Sequence, residues 1–273
     1  DISELVSVLD LNGKDNNTLE LDKQKFNKLI HLPKFGPTLL LISCNKEKKY
    51  PENIALNAAI QLKNFVNSNW RYTNADEINL MLSIDKDQII KISDEDKNYI
   101  RNDITSAVIY SVENENLLIL KQFNQIVKKI IKLDFTKTWN TPLIETIKKC
   151  FESKNQKLIY AGILLLYQLS KIFEYESEEN QKIYNQVLLQ INKYLLFFLN
   201  DCKVLNNTVQ AMVVYKLIKI FFKSFQGAIP ELFTTEEVYT AWSDIIITVI
   251  KTPVPPDYVA DKKNIFWKCK KVS

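Results

Sequence analysis

Glycine is almost missing: Gly13, Gly36, Gly162 and Gly227 are the only ones in 273 residues. Phosphate-cradling loops and tight β-hairpins need glycine for positive φ or close backbone approach. A dinucleotide fingerprint or a P-loop cannot be written with glycines this far apart. Histidine is scarcer still. His31 stands alone, which excludes a two-histidine metal site from this chain. It falls at the end of a predicted helix, where an imidazole commonly meets the last carbonyls. Arginine is reduced to Arg71 and Arg101, so lysine supplies nearly all of the 36 basic residues. Bidentate reading of guanine or phosphate is chiefly arginine chemistry. The formal net charge of +4 therefore does not point to nucleic acid; joint over-use of Lys, Asn and Ile fits a codon bias better.

Cysteine motifs are absent too. Cys44, Cys150, Cys202 and Cys269 lie far apart with no CxxC or Cys/His cluster, so neither a zinc site nor a disulfide framework is signalled. Reduced, partly buried thiols in a cytosolic or nuclear protein are the expectation. The most apolar run, Ile159 to Leu169, is too short to span a bilayer and is soon followed by Lys171. No membrane association is expected. Sequons at Asn16 and Asn206 carry little weight in an asparagine-rich chain without a secretory signal. The chain opens at Asp1 and closes as another helix begins, so it is expected to be a segment of a longer protein.

What is present is a succession of helical stripes in a chain that is 46% hydrophobic. Periodicity and punctuation predict helices over 2–9, 17–30, 38–45, 51–70, a stretch from Ser93, 116–133, 141–153, 155–173, 180–200, 208–225, 235–251 and onward from Ile265. Leu21, Phe26, Leu29 and Ile30 form the inward side of the second. Ile54, Ala58, Leu62, Phe65 and Trp70 do so for 51–70. Ile100, Ile104 and Val108 follow at i, i+4, i+8; later come Ile119, Phe123, Ile126 and Ile130, then Val238, Trp242, Ile245 and Val249. Pro33, Gly36 and Pro37 are read as a break. Residues 71–92 read as a surface loop with a short amphipathic piece near Ile78 to Leu82, and 253–264 as a linker. The helix pairs recur at roughly 40–50 residues, the HEAT or armadillo spacing. All-α architecture, an α-solenoid of stacked helix pairs, follows. The tryptophans Trp70, Trp139 and Trp242 are assigned to packing, and Arg101 to a bridge between repeats. The acidic runs Asp94-Glu95-Asp96 and Glu176 to Glu179 sit at helix starts and complement the dipole. Nothing in the pattern builds an enzyme or holds a cofactor.

Three stretches resemble a known family. Ala58-Ala59-Ile60-Gln61-Leu62-Lys63-Asn64-Phe65, followed by Trp70, resembles the second-repeat inner helix of the karyopherin-β nuclear transport receptors. Ile100-Arg101-Asn102-Asp103-Ile104, with Asp134-Phe135-Thr136-Lys137-Thr138-Trp139, is similar to that family's third repeat. Thr136 replaces the usual proline, so a looser turn is expected there. The run Gly162 to Tyr175 and the closing Trp267-Lys268-Cys269-Lys270-Lys271 are similar to the importin-seven and importin-eight branch.

The resemblance implies about five and a half HEAT repeats in a right-handed superhelical arch, forming one Ran-binding-type amino-terminal region over 1–273. It implies inner helices 17–30, 51–70, 116–133, 155–173 and 208–225, whose concave face binds Ran-GTP. Lys63 and Asn64 are the expected Ran contacts, with Asn57 and Gln61 as weaker candidates. Phe-Gly nucleoporin repeats are expected in apolar slots between outer helices. Basic cargo such as ribosomal proteins or histones, and cooperation with importin-β, are implied for the full-length protein, shuttling between cytoplasm and nucleus. The alternatives are an exportin of the same superfamily, a HEAT scaffold unrelated to transport, and a nucleic-acid-binding solenoid.

Overall fold

The computed structural model describes residues 2–71, 90–201, 207–226 and 229–273. It is all-α, and no strand occurs among the described residues. The chain divides into two compact units, residues 1–133 and 134–273. The amphipathic piece expected near residues 78–82, most of the 71–92 loop, Cys202 and the Asn206 sequon lie outside the described residues.

The first unit contains α1 (Ile2–Leu9), α2 (Asn16–Leu29), α3 (Phe35–Cys44), α4 (Glu52–Asn69), α5 (Asp94–Glu113) and α6 (Leu117–Asp134). Helix starts follow the capping residues. Asp15 accepts the Thr18 N–H at 2.8 Å and the Ser93 hydroxyl accepts the Asp96 N–H at 3.1 Å, each satisfying an orphan donor of a first turn. The Asp96 carboxylate accepts the Lys34 N–H at 3.0 Å, tying the start of α3 to the start of α5. α3 packs on α4 and α5, and α1 on α2 and α4.

Two readings need correction in this unit. Gly36 and Pro37 do not break the chain but sit inside the first turn of α3, buried. Proline is tolerated there because a first-turn N–H has no helical partner. A Cβ on Gly36 would meet Ile100 Cδ1 at 2.8 Å and the Phe65 ring at 3.0 Å, so the glycine is a close-approach device. On α2, Leu21 faces out at 56% exposure while Asp22 is buried at 5%. Asp22 is buried because the Lys14 ammonium reaches it at 2.5 Å, and a paired carboxylate can be buried where a lone one cannot.

The second unit contains α7 (Asn140–Glu152), α8 (Gln156–Phe173), α9 (Glu178–Asp201), α10 (Thr208–Ser224), α11 (Glu236–Lys251) and α12 (Ile265–Val272). α8 packs on α7 and on α10, and α10 packs on α12; on the other side α9 packs on both α7 and α11. First helices stack on first helices and second on second. That is the HEAT arrangement. The packing stripes read from the sequence are buried: Val238, Trp242, Ile245 and Val249 on α11 are at most 2% exposed. At roughly 1.5–3 kcal/mol per large buried side chain, such a stripe outweighs any propensity difference along the helix. Trp70, Trp139 and Trp242 are all fully buried. Trp242 stacks on Phe221 with centroids 5.0 Å apart.

Residues Phe135–Trp139 form one π turn rather than a loosened loop. A proline at 136 would remove a donor from that turn; threonine keeps it. The expected linker 253–264 holds a 3-10 turn over Pro256–Tyr258, and Asn264 accepts the Trp267 N–H at 3.1 Å to open α12.

Candidate functional site

α4 is the second helix of its pair, and its sequence divides it into three faces. Ile54, Ala55, Ala58, Ala59, Leu62, Phe65, Val66 and Asn69 are buried. The three alanines let neighbouring helices approach closely. Asn57, Gln61 and Asn64 fall in line on another face, since seven residues bring a helix back to within about 20°. Lys63 lies about 100° round from Asn64, on a stripe with Ile60 and Asn67.

The four expected contact residues are therefore not one cluster. Asn64 is exposed, while Asn57, Gln61 and Lys63 are half-buried. Asn57 already has structural work: its Nδ2 donates to the Leu9 carbonyl at 2.9 Å, pinning α1 to α4. Asn57 and Gln61 also line a cavity of about 210 Å³ with Asp22, Phe26, Leu11 and Leu19. What α4 offers an incoming surface is the Asn64 carboxamide, the Gln61 edge and the Lys63 ammonium on the flank. A carboxamide both donates and accepts, so this face suits backbone groups as well as carboxylates.

A positive feature near the end of α4 was not singled out from the sequence. The Lys129 ammonium of α6 is pushed below its ordinary range by burial first, then by the like charges of Lys132 and Arg71. The run Lys128-Lys129-x-x-Lys132 was the available signal. It looked like an ordinary solvated face because nothing in the sequence says that Arg71, after α4, adds its charge there.

The first helices present a different feature. Between α3 and α5 lies a cavity of about 290 Å³ lined by Ile2, Leu40, Leu41, Cys44, Tyr50, Tyr99 and Asp103, among others. A second, of about 240 Å³, shares Leu41 and Tyr99 and adds Pro37, Thr38 and Glu95. Leu41 is 54% and Tyr99 44% exposed. Single exposed apolar residues need no explanation; two of them beside cavities of mixed polar and apolar lining between adjacent helices make a slot. Cys44 does no chemistry there. Burial pushes its thiol up to about 11, the Lys46 ammonium lowers it and Asp103 raises it again, so it stays protonated and a poor nucleophile.

The remaining expectations fall out plainly. His31 is exposed just past α2. Cys150 and Cys269 are buried and Cys44 partly so, all three as free thiols. Arg101 donates to Asn98 at 2.6 Å, one turn back on its own helix. Among the described residues no group of His, Cys, Asp or Glu is placed to hold a metal, and no helix is long and apolar enough to cross a membrane.

Comparison with known proteins bears on what such a face serves. Residues 23–109, which include α3, α4 and most of α5, match the family model described as the importin-beta N-terminal domain. The chain is similar to Importin-8 of Homo sapiens, 26% identical over 91% of this chain and 23% of that protein. It is similar to the importin beta-like SAD2 homolog of Arabidopsis thaliana, 24% identical over 91% of this chain and 23% of that protein. Exportin-2 of Drosophila melanogaster is 24% identical over 83% of this chain and 23% of its own length. The chain thus spans about a quarter of the length of the relatives it matches.

Proposed function

Because this chain belongs to the importin-beta superfamily, we propose that it is the Ran-binding portion of a nuclear import receptor, gripping Ran-GTP on the face its second helices present. The observation that carries the reading is α4. It lies within the matched segment, and it sets Asn64 exposed in line with Gln61, with Lys63 on the flank. A lysine ammonium and a carboxamide together suit the acidic and backbone groups of a nucleotide-dependent switch surface. Asn57 belongs to the scaffold behind them, through its bond to Leu9. Lys129, Lys132 and Arg71 add positive potential at the end of the same helix and steer an acidic partner toward it.

In the full-length protein, cargo is held in the cytoplasm and displaced in the nucleus when Ran-GTP occupies this region. Reciprocity is obligatory: if Ran-GTP lowers the affinity for cargo, cargo lowers the affinity for Ran-GTP by the same factor. Basic proteins, ribosomal proteins or histones among them, are the cargo class of this reading, with importin-β as a co-receptor. The slot between α3 and α5 is where we place a nucleoporin Phe-Gly repeat, whose phenyl ring would insert beside Leu41 and Tyr99. The receptor would shuttle between cytoplasm and nucleus.

The similarity to an exportin supports a second reading, in which Ran-GTP and cargo bind together. The sign of Ran's effect on cargo affinity in the full-length protein separates the two. The test of the primary reading is capture of Ran by the 273-residue chain, with Ran loaded with GTP or GDP. Only the GTP form is expected to be retained, and less of it by Lys63→Ala and Asn64→Ala. Equal capture of both nucleotide states, or none, overturns the proposal.

A further inference from the structure

The second helices of the 134–273 unit carry a stripe of a different kind. On α8, Tyr160, Tyr167 and Lys171 recur at seven and four residues, so they share one face. On α10, Lys219 follows Tyr215 by four residues and Lys216 by three, so it neighbours both, and α12 adds Lys268. The rings and ammonium groups interlock across helices. Lys171 lies 4.5 Å and Lys216 4.3 Å from the Tyr167 ring centroid, while Lys219 lies 4.6 Å from that of Tyr215. Two ammonium groups, one from α8 and one from α10, thus share a single tyrosine. Such cation–π contacts attract each lysine to the ring but do not remove the repulsion between the lysines.

That repulsion is visible in Lys216. Burial comes first in depressing its ammonium to about 8, and the next causes are all charges of its own sign: Lys171, Lys219 and Lys268. Glu174, at the end of α8, is paired with Lys223. Lysines from three stacked second helices thus gather positive charge on one face, and such a face attracts a negative partner.

We propose that this Lys–Tyr face is a docking site for an acidic stretch of a partner polypeptide, whose successive carboxylates pair with Lys171, Lys216, Lys219 and Lys268. Lys216 and Lys219 are one turn apart, about 4.5 Å along the axis, a spacing that neighbouring carboxylates can meet. The tyrosine hydroxyls supply donors. Burial holds the Tyr160 phenol up to about 12 and raises that of Tyr167, so both keep the proton a carboxylate would accept. Nucleic acid fits the face less well. The Tyr167 and Tyr215 rings are already covered by ammonium groups, leaving little π surface for bases to stack on. Both arginines, Arg71 and Arg101, lie outside this unit, so no bidentate phosphate fork is available.

The experiment is fluorescence anisotropy of labelled octaglutamate titrated with the chain, against octalysine and a short polyuridine RNA as competitors. Octaglutamate is expected to bind, with an affinity that falls as salt rises. Lys268→Glu reverses an exposed charge without disturbing the core, and is expected to weaken binding by about tenfold or more. Lys216→Met, which keeps the stem and removes the charge, should weaken it similarly; circular dichroism verifies the fold of both. No binding of octaglutamate, or binding indifferent to Lys268→Glu, overturns the proposal. So does RNA that binds more tightly than the peptide and loses affinity with the same substitutions. Ran capture does not enter this test, so either result stands independently of the other.

Discussion

The two units are built from the same helix pairs, yet their second helices present unlike chemistry. In the first, α4 shows a line of carboxamides, Asn57, Gln61 and Asn64, with one lysine on its flank. In the second, α8, α10 and α12 show lysines laid over tyrosines. Burial of apolar stripes fixes where a second helix lies and leaves its remaining face open to any polar residue. Architecture is thus shared, and partner choice is written on the leftover face.

The units also differ in how their glycines are used, and substitutions sharpen the contrast. The largest effect is expected from an ordinary core truncation: Ile104→Ala, at a fully buried position of α5, should cost on the order of 2–5 kcal/mol, read by urea unfolding. Next is Lys216→Met. The buried ammonium of the native state releases its proton near 8 while the unfolded chain holds it to the ordinary lysine range, so unfolding takes up a proton between those values. Native stability then rises with pH from about 8 toward 10. Above the ordinary tyrosine range the raised phenols of Tyr160 and Tyr167 act in the opposite sense, because the unfolded chain loses those protons first. Removing the charge should stabilise the chain below pH 8 by on the order of 1–3 kcal/mol and flatten the rise. A parallel pH profile of melting temperature for both proteins would show the assignment of that slope to Lys216 to be mistaken.

The glycine pair follows. A Cβ at Gly162 would meet Cys150 Cβ and a Phe151 ring carbon, each at 2.8 Å, between α7 and α8. Neither atom is the free end of a flexible chain, so Gly162→Ala should cost about 1–3 kcal/mol. At Gly36 the closest atom, 2.8 Å away, is Ile100 Cδ1, the tip of a side chain that can rotate aside. Gly36→Ala should cost less, under about 1 kcal/mol, since alanine also favours the helix. Reversal of that order in thermal melts would mean that the α3 contacts are the stiffer ones. The smallest effect is at a cap: Ser93→Ala removes the acceptor for the Asp96 N–H and should cost about 1 kcal/mol.

Much of the fold was legible because packing stripes repeat with helical period. Ile100, Ile104 and Val108 are buried as expected, as are Ile119, Phe123, Ile126 and Ile130. What failed was decided by single partners beyond the reach of periodicity. Leu21 lost the inward side of α2 to Asp22 because Lys14, eight residues away, pairs with that carboxylate. Gly36 and Pro37 looked like a break because their composition cannot reveal that α4 and α5 press against that turn. The site was legible only in part. Lys63 and Asn64 were chosen through a resemblance, and the structure separates them by one step around α4. The bond from Asn57 to Leu9 spans 48 residues and left no local trace. The Lys–Tyr face went unread because lysine is common throughout the chain, and only the stacking of α8 on α10 brings those residues to one ring.

The central claim is that α4 meets Ran-GTP through Lys63 and its neighbours. Amine-reactive labelling of the chain, read by mass spectrometry, tests it directly. Lys63 is expected to become protected when GTP-loaded Ran is added and to stay reactive with GDP-loaded Ran, while Lys148 and Lys182, on the first helices α7 and α9, label alike in both. Undiminished labelling of Lys63 in a verified complex with Ran-GTP would contradict the account.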